Sequence, residues 1–184
     1  MPVGFETFDT ENFYRRKKNE QTQYYENESL IKLDEEGSGY SSYIFPNHKF
    51  YRLYKEFYDN RGVKEKGLLF GDVEIGLWEY YDKEGKLERT VNKEKKINPN
   101  FNYNDIIDFL HKRKVINKFK KQKGIKLKAN YENKKWLIKI FSDVKEVGYT
   151  GQKNGLEHTY SFDYNGKLLM ATENIQVIKG IHID

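Results

Sequence analysis

The 184-residue chain contains no cysteine, which removes disulfide staples, thiolate metal sites and cysteine nucleophiles at once. Hydrophobic residues are only 37% of the total, and no apolar run approaches the roughly 20 residues of a membrane helix. The opening MPVGFETFDTENFYRRKKNEQ lacks the apolar stretch, about 7–15 residues, of a secretory leader. The chain as given therefore reads as cytoplasmic; an export signal removed ahead of it would make it periplasmic or surface-exposed. Alanine occurs only at Ala129 and Ala171, and of the 33 basic residues only Arg15, Arg16, Arg52, Arg61, Arg89 and Arg113 are arginine. The planar fork that reads guanine edges and clamps phosphates is thus scarce. A surplus of Lys, Asn, Ile and Tyr over Ala matches the codon bias of an AT-rich genome, so part of the basic character needs no partner to explain it.

Aromatic and charged side chains make up the difference. Fifteen Tyr and twelve Phe must supply much of the buried area, and 33 basic against 28 acidic residues leave a net charge of +5. That balance is mildly basic and fits several classes of partner. The length suits one ordinary domain or two small ones.

Self-similarity is the clearest internal signal. Glu56-Phe57-Tyr58-Asp59-Asn60-Arg61-Gly62 aligns with Glu79-Tyr80-Tyr81-Asp82-Lys83-Glu84-Gly85, a looser copy runs from Tyr160 to Gly166, and Asp34-Glu35-Glu36-Gly37 repeats the bare Asp-x-x-Gly. Asp at the first turn position accepts backbone N–H groups, and Gly three residues later takes the left-handed conformation that closes a type I turn with a bulge. Each copy therefore predicts a hairpin. Period-2 alternation puts Trp78 and Tyr80 on one face and Leu77, Glu79 and Tyr81 on the other. Carried across the alignment, it puts Phe57 with the Trp78 face, expected to be the core one, and Tyr54, Glu56 and Tyr58 with the Glu79 face.

At these residues the chain resembles a known family. The stretch from Tyr54 to Lys93, and above all Gly76-Leu77-Trp78-Glu79-Tyr80-Tyr81-Asp82-Lys83-Glu84-Gly85-Lys86-Leu87, is similar to the MORN-variant repeats of the bacterial YwqK family, whose unit is roughly Gly-x-Trp-x-Tyr-Tyr-x-x-x-Gly-x-Leu. The first copy carries Lys55 where the Trp would be. The resemblance covers about a quarter of the chain and implies a role as an antitoxin or immunity protein.

Asn92–Asn100, polar and containing Pro99, is the expected linker. Beyond it Asn102 or Asn104 can cap a helix with Asp105 in its first turn and an apolar stripe of Ile106, Phe109, Leu110, Ile116 and Phe119, stopping at Gly124. Strands are expected over residues 125–131, 135–141, 144–149, 156–162 and 167–172, with Ile175, Val177, Ile181 and Ile183 forming a closing strand. The fold class is α+β, mostly antiparallel β hairpins with one main helix packed on the C-terminal sheet. Residues 1–98 form a hairpin region and 99–184 an α+β region, either separate or as one continuous domain.

Sites follow from this frame. Residues 112–128 carry nine lysines and arginines, Lys112, Arg113 and Lys120 among them, and no acid. They read as an electrostatic footprint or as a solvated helix end. Tyr54, Glu56, Tyr58, Glu79 and Tyr81 form a tyrosine-rich face of the kind interfaces favour. His48, His111, His158 and His182 are too dispersed for a metal site. Gly37-Ser38-Gly39-Tyr40 lacks the Lys-Ser/Thr of a phosphate loop, and no nucleophile elbow is present. The expectation is a non-enzymatic protein with no cofactor, no metal and no membrane or nucleic-acid partner. Its partner is a cognate protein toxin encoded by a neighbouring gene, bound through the tyrosine face and the basic segment. An envelope or extracellular structural module is the alternative, and an enzyme or basic nucleic-acid binder is the third.

Overall fold

The computed structural model describes residues 6–36, 39–47, 49–97, 100–119, 125–143 and 153–178. The fold is α+β, built on antiparallel sheets. The chain packs as two units, Met1–Phe70 with Glu74–Lys96 and Gly71–Val73 with Ile97–Asp184.

In the first unit seven strands form a meander, each pairing with its neighbour in sequence. They are β1 (Gln23–Glu26), β2 (Ser29–Glu36), β3 (Gly39–Phe45), β4 (Arg52–Phe57), β5 (Val63–Phe70), β6 (Val73–Tyr81) and β7 (Leu87–Asn92). Ahead of them helix α1 (Thr10–Lys18) starts on Asp9, whose carboxylate accepts the Asn12 N–H at 2.9 Å, and it ends on four basic residues that suit the macrodipole. Phe8 and Phe13 bury themselves with Ile31, Leu33, Phe57 and Val63. At the rim the Tyr14 hydroxyl donates to Glu35 at 2.8 Å, and Lys17 pairs with the same carboxylate at 2.7 Å.

Strand register sorts the two faces, because directly opposed residues share a face. Ile44, Leu53 and Leu68 are opposed, as are Ser42, Lys55 and Lys66, and Ile31 and Leu33 extend these rows beneath the helix. On the reverse face Tyr43, Tyr54 and Gly67 are opposed. Trp78 lies across Gly67 there, so close that a Cβ on Gly67 would stand 2.3 Å from the indole ring. Trp78 is buried, with the Tyr54 ring centroid 6.0 Å away and the Lys93 ammonium 5.1 Å from its ring centre.

The hairpins correct the expected faces. In the second copy Tyr81 opposes Leu87, Asp82 accepts the Glu84 and Lys86 N–H groups, and Gly85 is left-handed at φ 82°. The C-terminal copy repeats this with Phe162 opposing Leu168, Asp163 accepting from Asn165 and Lys167, and Gly166 at φ 80°. In the first copy Phe57 opposes Val63, and it is Arg61, at φ 72°, that takes the left-handed place. Phe57 is thus the counterpart of Tyr81, and the turn starts at Tyr58, one residue before the aligned aspartate. The slip exchanges faces: Phe57 joins the Glu79 face, while Tyr54 and Glu56 join that of Trp78. Asp34 likewise sits inside β2 opposite Ser41 rather than opening a turn; the connection at residues 37–38 lies outside the described residues.

Across the expected linker the chain makes one helical turn, α2 (Glu94–Ile97). The second unit holds α3 (Tyr103–Lys112), β8 (Ile125–Glu132), β9 (Lys135–Asp143), β10 (Lys153–Phe162) and β11 (Leu168–Ile178), in sheet order β11-β10-β9-β8. Asn102 and Asp105 close a reciprocal capping box. Ile106 and Leu110 are buried, and Phe109 packs edge-on against Tyr160 and Phe162, so α3 covers the face that also carries Trp136, Ile138 and Ile140. The helix stops earlier than Gly124, at Arg113, followed by Lys114 in the left-handed region at φ 60°. Gly124, residues 144–149, Ile181 and Ile183 lie outside the described residues.

Candidate protein-interaction groove

The tyrosines and glutamates expected on one surface are divided between two. On the Trp78 face, Glu56 opposes Glu65 and pairs with Lys64 at 2.6 Å, and the Tyr54 hydroxyl reaches Glu56 only at 3.5 Å. Burial pushes the Glu65 carboxyl up, reinforced by the charges of Glu56 and Glu74. On the other face the Tyr81 hydroxyl donates to Glu79 at 2.5 Å. The Tyr58 hydroxyl donates to the Tyr81 carbonyl at 2.8 Å, and the Tyr81 ring packs against the buried cluster. Tyr58 and Tyr81 are therefore both tied into the fold.

Glu79 opens onto a groove that was not legible in the repeats. Leu53, Leu68 and Leu77 line it with Gly67, and Lys55, Lys66, Glu6 and Glu79 complete the walls around a volume of ≈ 300 Å³. Lys55 pairs with Glu6, while Lys66 stands 3.7 Å from Glu6 and 3.2 Å from Glu79. Lys66 is pushed up to about 12: desolvation works to lower it but is outweighed by Tyr81 and Glu79. The hydrogen bond that Glu79 accepts from the Tyr81 hydroxyl, followed by the Lys66 pair, holds the Glu79 carboxyl below its usual range. The groove wall thus sets two lysines against two glutamates. Leu77 is 61% exposed at its edge. An exposed leucine over an apolar floor within a ring of paired charges can seat one or two apolar side chains of a partner and orient polar groups around them. The volume stands at the low end of small-molecule pockets, which run from about 300 to 1,000 Å³.

The described residues of the basic segment belong to two elements and the connection after the first. Lys112 and Arg113 end α3, where the Arg113 guanidinium stacks 4.8 Å above the Phe109 ring, and Lys118 pairs with Asp108. Lys126 and Lys128 belong to β8; Lys120 lies outside the described residues. Among the histidines, His111 faces the Ile116 carbonyl at 3.3 Å and His158 stands 3.6 Å from Glu173, while His48 and His182 lie outside the described residues. Among the described residues no cluster of His, Asp and Glu could hold a metal, and no helix is long and apolar enough to cross a membrane.

No family model, no curated protein and no solved structure matches this chain.

Proposed function

We propose that the chain is a bacterial immunity or antitoxin protein that acts without catalysis, by binding a cognate toxin and covering its active site. The observation that carries this reading is the groove: Leu77 exposed over Leu53 and Leu68, held between the Lys55–Glu6 and Lys66–Glu79 pairs. It has the make-up of an interface anchor point, apolar at the centre and charged at the rim. The likeness of residues 76–87 to the YwqK repeat unit supports the same class.

The test is capture of partners by the tagged chain from lysate of its own organism, with low- and high-salt washes, mass spectrometry and nucleic-acid staining. The expected result is one stoichiometric protein that survives high salt, is toxic when expressed alone and is neutralised by co-expression. Leu77→Arg should abolish capture and neutralisation while leaving thermal unfolding within a degree or two, since the side chain is largely exposed. Retention of nothing but salt-labile nucleic acid would overturn the reading.

A further inference from the structure

We propose that the Trp78 face of the first unit's sheet binds a single basic side chain of a protein partner, a lysine ammonium or an arginine guanidinium, at Ser41, Glu56 and Glu65. Register builds the site. Asp34, Ser41, Glu56 and Glu65 are opposed in turn on β2, β3, β4 and β5. They therefore form one row on one face, on strands about 4.8 Å apart. Ser41 stands between two of the carboxylates and is only 4% exposed, yet its hydroxyl has no hydrogen-bond partner among the described residues. A buried hydroxyl left without a partner is costly, and its oxygen can accept the same N–H donor that the glutamates beside it accept.

Charge fixes the class of ligand. Lys32 pairs with Asp34 at 3.1 Å, Lys64 with Glu56 at 2.6 Å, and Lys93 with Glu74. Glu65 is left over: its side chain has no hydrogen bond or ion pair among the described residues, and it stands directly opposite Glu56, an unfavourable placement for like charges. The surplus is one negative charge, so one positive charge answers it, whereas a polyamine or a run of basic residues would also meet Lys32, Lys64 and Lys93. Among the described residues no group of acidic side chains is placed to hold a metal. Tyr43 and Tyr54 occupy the next row of the same face, their ring centroids 5.1 Å apart, and offer an apolar bed for the alkyl stem of a lysine or arginine. The row is reached from solvent, since the Glu56 and Lys64 side chains are 31% and 43% exposed. A single cation on an open sheet face binds weakly by itself, which suits an orienting contact on a larger chain. A carboxylate that opposes folding when charged, beside a buried hydroxyl without a partner, has the character of a binding group. This site lies on the opposite sheet face from the groove and does not rest on the reading of the groove.

The experiment is an NMR titration of the isotope-labelled full chain at neutral pH with a capped glycine pentapeptide carrying one central arginine. The same peptide with lysine or with uncharged norleucine at the centre, spermidine and calcium chloride are the comparison ligands. The arginine and lysine peptides should shift the amide signals of Ser41, Glu56 and Glu65, and the norleucine peptide should not. Glu65→Gln should weaken binding by about tenfold, the loss of a charge-assisted partner, and Ser41→Ala by about threefold, the loss of one hydrogen bond. Leu77→Arg, in the groove, should leave it unchanged. Glu65→Gln should also raise the melting temperature of the free protein, so that binding and stability move in opposite directions, which a merely structural role would not produce. Should one of the two site variants lose its dispersed spectrum, the other decides. No shifts, shifts scattered over other surfaces, an equal response to the norleucine peptide, affinity indifferent to positions 41 and 65, or tighter binding of spermidine or calcium would each overturn the proposal.

Discussion

Gly67→Ala isolates the contact that organises the Trp78 face. The backbone at Gly67 is not left-handed, so an alanine there meets no conformational strain, and by itself the change should stabilise by about 0.4–1 kcal/mol through the unfolded chain. In the fold, however, the new methyl would lie 2.3 Å from two atoms of the Trp78 ring and 2.5 Å from a third. Carbon pairs rest at about 3.5–4.0 Å, so the indole must move by about an ångström. It has little room, being 1% exposed and flanked by Tyr54 and Lys93. Overpacking of this kind costs about 1–3 kcal/mol, and the net expectation is a destabilisation of about 1–2 kcal/mol, or several degrees in melting temperature. Trp136→Phe leaves Trp78 as the sole tryptophan and lets its fluorescence report the unfolding of this unit. In a Trp78→Leu background the same Gly67→Ala change should become neutral or stabilising. A neutral or stabilising effect with Trp78 in place would refute the reasoning, because the steric conflict alone distinguishes the two backgrounds.

Other perturbations probe the turns, the cap and the buried charge. Arg61 holds a left-handed conformation at φ 72°, which costs a side-chain-bearing residue about 1–2 kcal/mol; Arg61→Gly should raise the denaturation midpoint, and Gly85→Ala, at φ 82°, should lower it. Asn102→Ala removes the N-cap of α3 and its capping box, with an expected loss of about 1 kcal/mol in urea unfolding. The folded-state pKa of Glu65 is raised by burial and by Glu56 and Glu74, so between the ordinary glutamate value of about 4.3 and that raised value the folded state holds the extra proton. Stability contributed by this site is therefore lost as pH rises through the window. Glu65→Gln should be more stable than the parent at pH 7, and the difference should vanish at pH 4; an unchanged difference would place the effect elsewhere.

Much of the second unit was legible because its signals are local and agree with one another. Asn102 and Asp105 at capping-box spacing mark the start of α3, and alternating Trp136, Ile138 and Ile140 mark a half-buried strand. The end of α3 was not legible, because the lysine-rich run beyond it remains compatible with helix until Lys114 adopts a left-handed backbone. Helix α1 was missed for a different reason. Phe13 is its one buried residue, so no apolar stripe exists to be read, and its place is fixed by tertiary contacts from Phe13, Tyr14 and Lys17 to β2 and β3. The groove escaped for the same reason: Glu6, Lys55, Lys66 and Glu79 come from the N-terminal segment and three separate strands, and no spacing in the sequence joins them.

The repeats teach the sharper lesson, since they were correct about the hairpins and wrong about the faces. Asp-x-x-Gly is shared by residues 59–62 and 82–85, and the natural alignment matches aspartate to aspartate. A turn, however, is defined by where the backbone becomes left-handed, and Arg61 takes that role one residue before Gly62. Asn60 accommodates the shift by accepting the Gly62 N–H at 3.0 Å, where the second copy uses Asp82 to accept the Lys86 N–H at 2.7 Å. A one-residue slip is costless in the alignment but inverts every side chain of a strand. It carries Phe57 into the cluster with Val63 and sends Tyr54 to Trp78. It also puts Lys55 in the place of Glu79 and Tyr54 in that of Trp78, so that the missing Trp at Lys55 is the slip itself. Lys55 and Glu79, equivalent positions of the two copies, both line the groove.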